Sequence, residues 1–137
     1  MNNNQKDYTP ENEDDFMNEE QKSYFKKRLV SWKQSLLQER QKAEKIVEAS
    51  LESDIADIAA KETEQSLALA SKQRDSLLIE KIDQALSKIE DGSYGYCEET
   101  GEPIDINRLI ARPIATLSLE AQEKKEKLRR FQTRRHA

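Results

Sequence analysis

From Phe25 onward apolar residues fall at helical spacing, Phe25, Leu29, Trp32, Leu36, Ala43 and Ile46, with polar residues between them. That three-and-four rhythm predicts an amphipathic helix with one face in need of cover. A second stripe, Leu78, Ile82, Ala85 and Ile89, with Leu67 upstream, predicts another. Between Pro10 and Gly92 there is neither proline nor glycine, so the two strongest helix breakers are missing from the whole span. Asn18 or a neighbour can cap its start, and Glu19 and Glu20 lie in the first turn, where negative charge suits the helix dipole. Gly92 supplies the stop. The middle of the stripes is polar, at Glu39, Ser50, Ser71 and Arg74.

One uninterrupted helix of this length would reach roughly 120 Å and leave its stripe bare. Folding back lets the two stripes cover each other. The break falls in LESDIADIAA, residues 51–60, where Ser53, Asp54 and Asp57 can bond their own backbone and cap a new helix. Each arm is then roughly 50 Å long. The expected class is mainly α: a long antiparallel coiled-coil hairpin plus a small globular domain with a degenerate zinc-finger-like segment and a C-terminal helix. A long dimerising helix is the competing arrangement. In chain order we expect a disordered acidic segment at 1–16, a helical part packing on the globular domain at 17–32, and the hairpin at 33–91 with its tip near 53–59. The finger-like segment follows at 92–121 and a basic helix at 119–137.

Composition narrows the class. In 137 residues, 35% hydrophobic against 36% charged leaves little material for a large core and implies an elongated molecule. No apolar run is long enough for a membrane span and no secretory leader is visible, so a cytoplasmic protein without membrane contact is expected. The single cysteine, Cys97, excludes an internal disulfide and cannot alone form a four-ligand metal site. The net charge of −4 is unevenly spread. Lys124, Lys125, Lys127, Arg129, Arg130, Arg134 and Arg135 against Glu123 and Glu126 make the last sixteen residues basic, whereas Asp7, Glu11, Glu13, Asp14 and Asp15 against Lys6 make the first sixteen acidic. Around the expected tip, Glu48, Glu52, Asp54, Asp57, Glu62 and Glu64 face a single base, Lys61. Such acids are either helix caps and solvated surface or a narrow acidic probe for a channel in a larger partner, and the pattern alone leaves both open.

Taken together, Asp54, Asp57 and Ala59 in a DxxDxA motif, GYC at 95–97 and RLIARP at 108–113 resemble the DksA/TraR family of bacterial transcription factors. The likeness runs in one register from about Asn18 to beyond Ala121. It implies a coiled coil inserted through the secondary channel of RNA polymerase, its tip close to the active site, with no direct DNA binding. It also implies destabilised open promoter complexes, particularly at ribosomal RNA promoters, in concert with the alarmone ppGpp. The family's tip positions fall on Asp54, Asp57 and Ala59. Its basic ppGpp contacts fall on Lys81 and Arg112, whose cationic groups suit a pyrophosphate, and on Gln122, where the base is lost. Arg74, Leu78 and Arg108 match further polymerase contacts, each of which could equally serve coiled-coil packing or a local salt bridge.

The family's zinc finger uses two CxxC pairs, and the four ligand positions here hold Cys97, Thr100, Ser118 and Ala121. Three thiolates are gone, so zinc is not expected, and the chain resembles the family's zinc-independent paralogues. A structural zinc can supply on the order of 10 kcal/mol of folding free energy. Tyr94, Tyr96, Ile104, Ile106, Leu109, Ile110, Ile114, Leu117 and Leu119, against Phe25, Trp32 and Leu128, are the expected substitute core, at about 1.5 to 3 kcal/mol for each side chain buried. Thr116 or Ser118 is expected to cap the last helix.

No catalytic residues are expected: Cys97 has neither a second cysteine nor a nearby histidine to activate it. The rival readings are a plain coiled-coil adaptor, which would form a stable parallel dimer, and a transcript-cleavage factor of the Gre type, whose acidic tip holds a catalytic metal. A monomer is expected. The basic tail can contact phosphates, but Phe131 is its only aromatic residue and no DNA-reading motif accompanies it.

Overall fold

The computed structural model describes residues 8–12, 15–51 and 58–135, without the side chains of 50, 51, 58–61 and 135. Four α-helices follow one another: α1 (Glu19–Leu51), α2 (Ile58–Asp91), α3 (Ile106–Ala111) and α4 (Leu119–Arg135). They belong to two compact units, Met1–Arg28 with Ala85–Ala137, and Leu29–Gln84.

The unit Leu29–Gln84 is a pair of helices. Leu29, Leu36 and Ala43 are buried along α1, each seven residues from the next, and Ala68, Asp75 and Ile82 repeat the same interval along α2, with Ile79 between them. Two ion pairs set the direction: Lys33 Nζ lies 2.7 Å from Asp83 Oδ1, and Lys72 Nζ lies 3.3 Å from Glu44 Oε1. Advancing from Lys33 to Glu44 on α1 retreats by the same interval from Asp83 to Lys72 on α2, which defines an antiparallel pairing. The seam differs from the expected stripe in three places. Leu67 points outward at 68% exposure, Ile46 is exposed, and Ile79 rather than Leu78 is fully inside. Trp32 is half-buried in this unit.

The other unit joins the first turns of α1 and the end of α2 to the segment 92–121. Asn18 caps α1 through Oδ1, which accepts from Gln21 N at 2.8 Å. At its heart Phe25 packs on Tyr94 with ring centroids 5.5 Å apart, among buried Ile104, Ile106, Leu109 and Leu117. Ile89 and Ala85 join them from α2. Asp105 caps the short α3 by accepting from Asn107 N, and Ser118 Oγ caps α4 by accepting from Ala121 N at 3.2 Å. The expected core shrinks at its margins: Leu119 and Leu128 are exposed, Tyr96 lies at the surface, and Ile110 and Ile114 are only half-buried.

Of the stretch 1–16, residues 8–12, 15 and 16 are described. Pro10 is buried, Tyr8 meets Tyr24 edge-on at 6.3 Å, and Phe16 meets Tyr96 edge-on at 5.2 Å. Just beyond, Met17 is buried and Gln21 is fully so. Gln21 Oε1 accepts from Met17 N at 2.7 Å, and its Nε2 donates to the Glu11 carbonyl at 3.4 Å. Acidic composition gave no sign of this N-terminal strap, because its contacts rest on a few apolar residues and one glutamine.

Candidate functional site

Of the four positions that match the family's zinc ligands, Cys97, Thr100 and Ser118 meet at one sulfur. Cys97 is buried, and its sulfur receives hydrogen bonds from the Thr100 hydroxyl and from the backbone N–H groups of Ser118, Thr100 and Glu99. Burial pushes the thiol up, but these donors outweigh it and bring it down to about 6, which favours the thiolate. The loop closes on itself around that sulfur: Cys97 N donates to the Glu102 carbonyl at 2.8 Å, Gly101 N to the Cys97 carbonyl at 2.8 Å, and Glu98 N to the Thr116 carbonyl at 2.9 Å. Backbone N–H groups from both ends of the finger-like segment thus converge on the sulfur. The donor set does not suit zinc. It offers one thiolate and one exposed hydroxyl at Thr100, while Ser118 spends its hydroxyl on the α4 cap and buried Ala121 has no donor. Among the described residues no cluster of three His, Cys, Asp or Glu side chains could hold a metal ion.

Two further ties fasten the segment. Tyr94 Oη donates to the Pro113 carbonyl at 2.7 Å in a buried setting, and burial pushes the phenol well above its usual range. Arg28 Nη1 donates to the Ile110 carbonyl at 2.5 Å while its guanidinium stands 5.7 Å from the Tyr24 ring centroid. Sequence reasoning missed Arg28 because one arginine in a long charged helix carries no periodic signal.

Of the residues singled out in the sequence, Asp54 and Asp57 lie outside the described residues, and Ala59 is described only as part of the first turn of α2. Arg74, Leu78 and Lys81 share an outward face of α2, at i, i+4 and i+7. Arg74 is 72% exposed and Lys81 is exposed, whereas Leu78 is half-buried. Arg108, Arg112 and Gln122 belong to the other unit. Arg108 is half-buried and donates from Nε to the Leu117 carbonyl at 2.9 Å, so it braces the finger-like segment. Arg112 is exposed just past α3, with its N–H bonded to the Arg108 carbonyl at 2.7 Å. Gln122 is half-buried, and its Nε2 donates to Glu126 Oε1 at 3.2 Å.

One buried group was not anticipated. Asp75 takes a core position in the helix-pair seam at 1% exposure, and its Oδ2 has no hydrogen-bond partner. The nearest cation, Arg74 Nε, is 3.9 Å from the other oxygen. The heptad interval from Ala68 to Ile82 passes through Asp75 and could have revealed it.

Sequence profiles of two families match the chain: the N-terminal domain of DnaK suppressor protein DksA over residues 21–89, and the prokaryotic dksA/traR C4-type zinc finger over residues 92–127. An RNA polymerase-binding transcription factor DksA from Caulobacter vibrioides is 49% identical over 126 residues, covering 90% of this chain and 89% of its own. Its namesake from Escherichia coli K12 is 39% identical over 114 residues, covering 80% and 74%. The solved structure of transcription factor DksA2 from Pseudomonas aeruginosa superimposes with a TM-score of 0.79 at 38% identity, covering 84% of this chain and 90% of that one.

Proposed function

The chain belongs to the DksA/TraR family, and on that premise we propose that it is a transcription regulator that binds RNA polymerase. The observation that carries this reading is the fit of both family profiles to the same chain, one over the paired helices and one over the finger-like segment. The antiparallel pairing of α1 and α2 supports it, since it presents a narrow two-helix probe. In this reading the probe enters the secondary channel and brings Asp54, Asp57 and Ala59 near the active site, where the acids engage polymerase groups and alter open-complex stability. No catalytic step is assigned to the chain. Lys81 and Arg112 hold ppGpp against the polymerase, with Gln122 a weaker third contact because a neutral amide replaces a cation. Arg74, Leu78 and Arg108 add polymerase contacts, and the bracing of the Leu117 carbonyl by Arg108 makes its role partly structural.

We also propose that the protein folds and acts without zinc. The reading is supported by a donor set unsuited to the metal, with one sulfur at Cys97, no donor at Ala121 and the Ser118 hydroxyl engaged in the α4 cap. Transcription from a ribosomal RNA promoter, with and without ppGpp and with and without chelator, tests these points together. Wild type inhibits in every chelator condition, and Asp57→Asn keeps polymerase binding while losing inhibition. Full inhibition by Asp57→Asn would remove the tip from the mechanism. Loss of helicity on chelation would restore the metal.

A further inference from the structure

A helix that packs on one neighbour buries one face and ordinarily turns charge to the water on the others. Around α2 the charge is distributed differently. Starting from Leu67, the outward register i, i+3, i+7, i+10, i+11 and i+14 reads Leu67, Ala70, Arg74, Leu77, Leu78 and Lys81. None of Glu62, Glu64, Asp75, Glu80 or Asp83 falls in it. Leu67 is 68% and Leu77 is 61% exposed, more than any other large hydrophobic residue described. The seam of this unit runs through Ala68, Asp75, Ile79 and Ile82, so neither leucine takes part in the helix pairing.

We infer that Leu67 and Leu77 are apolar anchors of the polymerase interface, seated with Arg74 against an apolar surface of RNA polymerase edged by carboxylates. The inference rests on the polymerase-binding reading and extends it to two residues which that reading does not assign. The partner's character follows from the face itself. Two bare leucines lose free energy to water until something apolar covers them, and the mostly exposed Arg74 between them favours an acidic edge. A second copy of this chain fits less well, because two such faces would bring Arg74 and Lys81 against like charge.

The test measures affinity of the full-length protein for purified core RNA polymerase, with Leu67→Gln, Leu77→Gln, the double variant, and Leu69→Gln as control, since Leu69 lies outside the register. Circular dichroism melts of the variants should stay close to wild type, because both side chains lie mostly in solvent outside the seam. The double variant is expected to bind at least tenfold more weakly, with Leu69→Gln near wild type. Equal binding by all variants overturns the anchor assignment while the regulator reading stands. Failure of wild type itself to bind polymerase overturns that reading and this one with it. A wild-type dimer that the double variant converts to monomer, with polymerase affinity unchanged, would assign the face to a second copy and overturn the inference.

Discussion

Tyr94 Oη and the Pro113 carbonyl, nineteen residues apart in the chain, are joined by a buried 2.7 Å hydrogen bond. This bond ties the exit of α2 to the turn after α3, across the segment that a metal would otherwise cross-link. Replacing Tyr94 by Phe keeps the ring against Phe25 but strands the carbonyl. The expected loss is roughly 1 to 3 kcal/mol, read from urea unfolding. A change within error would show that this carbonyl finds water and that the segment is held elsewhere.

Gly95 stands next to that tyrosine with φ +89°, and a Cβ added there would meet Phe16 Cζ at 3.0 Å and Met17 Cε at 3.2 Å. Gly95→Ala therefore combines a left-handed backbone, unfavourable by about 1 to 2 kcal/mol for an L-residue, with displacement of the N-terminal strap. The thermal midpoint should fall, and residues near Phe16 should become more open to protease. Adding Phe16→Ala should recover only the part due to contact, since the backbone strain remains. Full recovery would mean that the strain is negligible.

Cys97 gives the fold a pH dependence whose sign is determined by its hydrogen bonds. The folded thiol ionises near 6, below the ordinary value of 9.0, so the folded state releases its proton first. Its contribution to stability is fully present above the unfolded value and is lost as pH falls through the folded one. The unfolding free energy of wild type relative to Cys97→Ala should therefore rise between about pH 6 and pH 9. A flat difference would indicate a neutral thiol in the folded protein.

Asp75 leaves a carboxylate oxygen unpartnered in the seam of the helix pair. Burying a polar oxygen without a partner is unfavourable, and Asp75→Asn exchanges the carboxyl group for an amide at nearly constant volume. The midpoint of thermal unfolding should rise by the equivalent of roughly 1 kcal/mol. A lower midpoint would show that the carboxylate is satisfied and contributes to pairing.

Much of the architecture was legible before any coordinates. Periodicity over Phe25 to Leu36 and Ile82 to Ile89, the lack of helix breakers, and the Asn18 and Ser118 caps are local features, and local rules describe them. The candidate site was legible mainly by resemblance, because Arg74, Lys81 and Arg112 are single charged residues in a chain rich in charge. The tip residues Asp54 and Asp57 lie outside the described residues, so their part rests on sequence. Leu67 illustrates the limit. Its spacing suits the stripe, yet a shift of one residue on a helix moves a side chain through more than a quarter turn, and the neighbour Ala68 occupies the seam instead.

The sequence by itself determined two long helices, the caps of α1 and α4, the absence of three thiolates, and the placement of charge, since each follows from residues a few positions apart. Only the tertiary structure decided which residues meet across the chain. It placed Phe16 on Tyr96, Arg28 on the Ile110 carbonyl, Asp75 in the seam and a ring of N–H donors around Cys97. These contacts join segments far apart in sequence, and their geometry is set by packing of the whole unit rather than by any local preference.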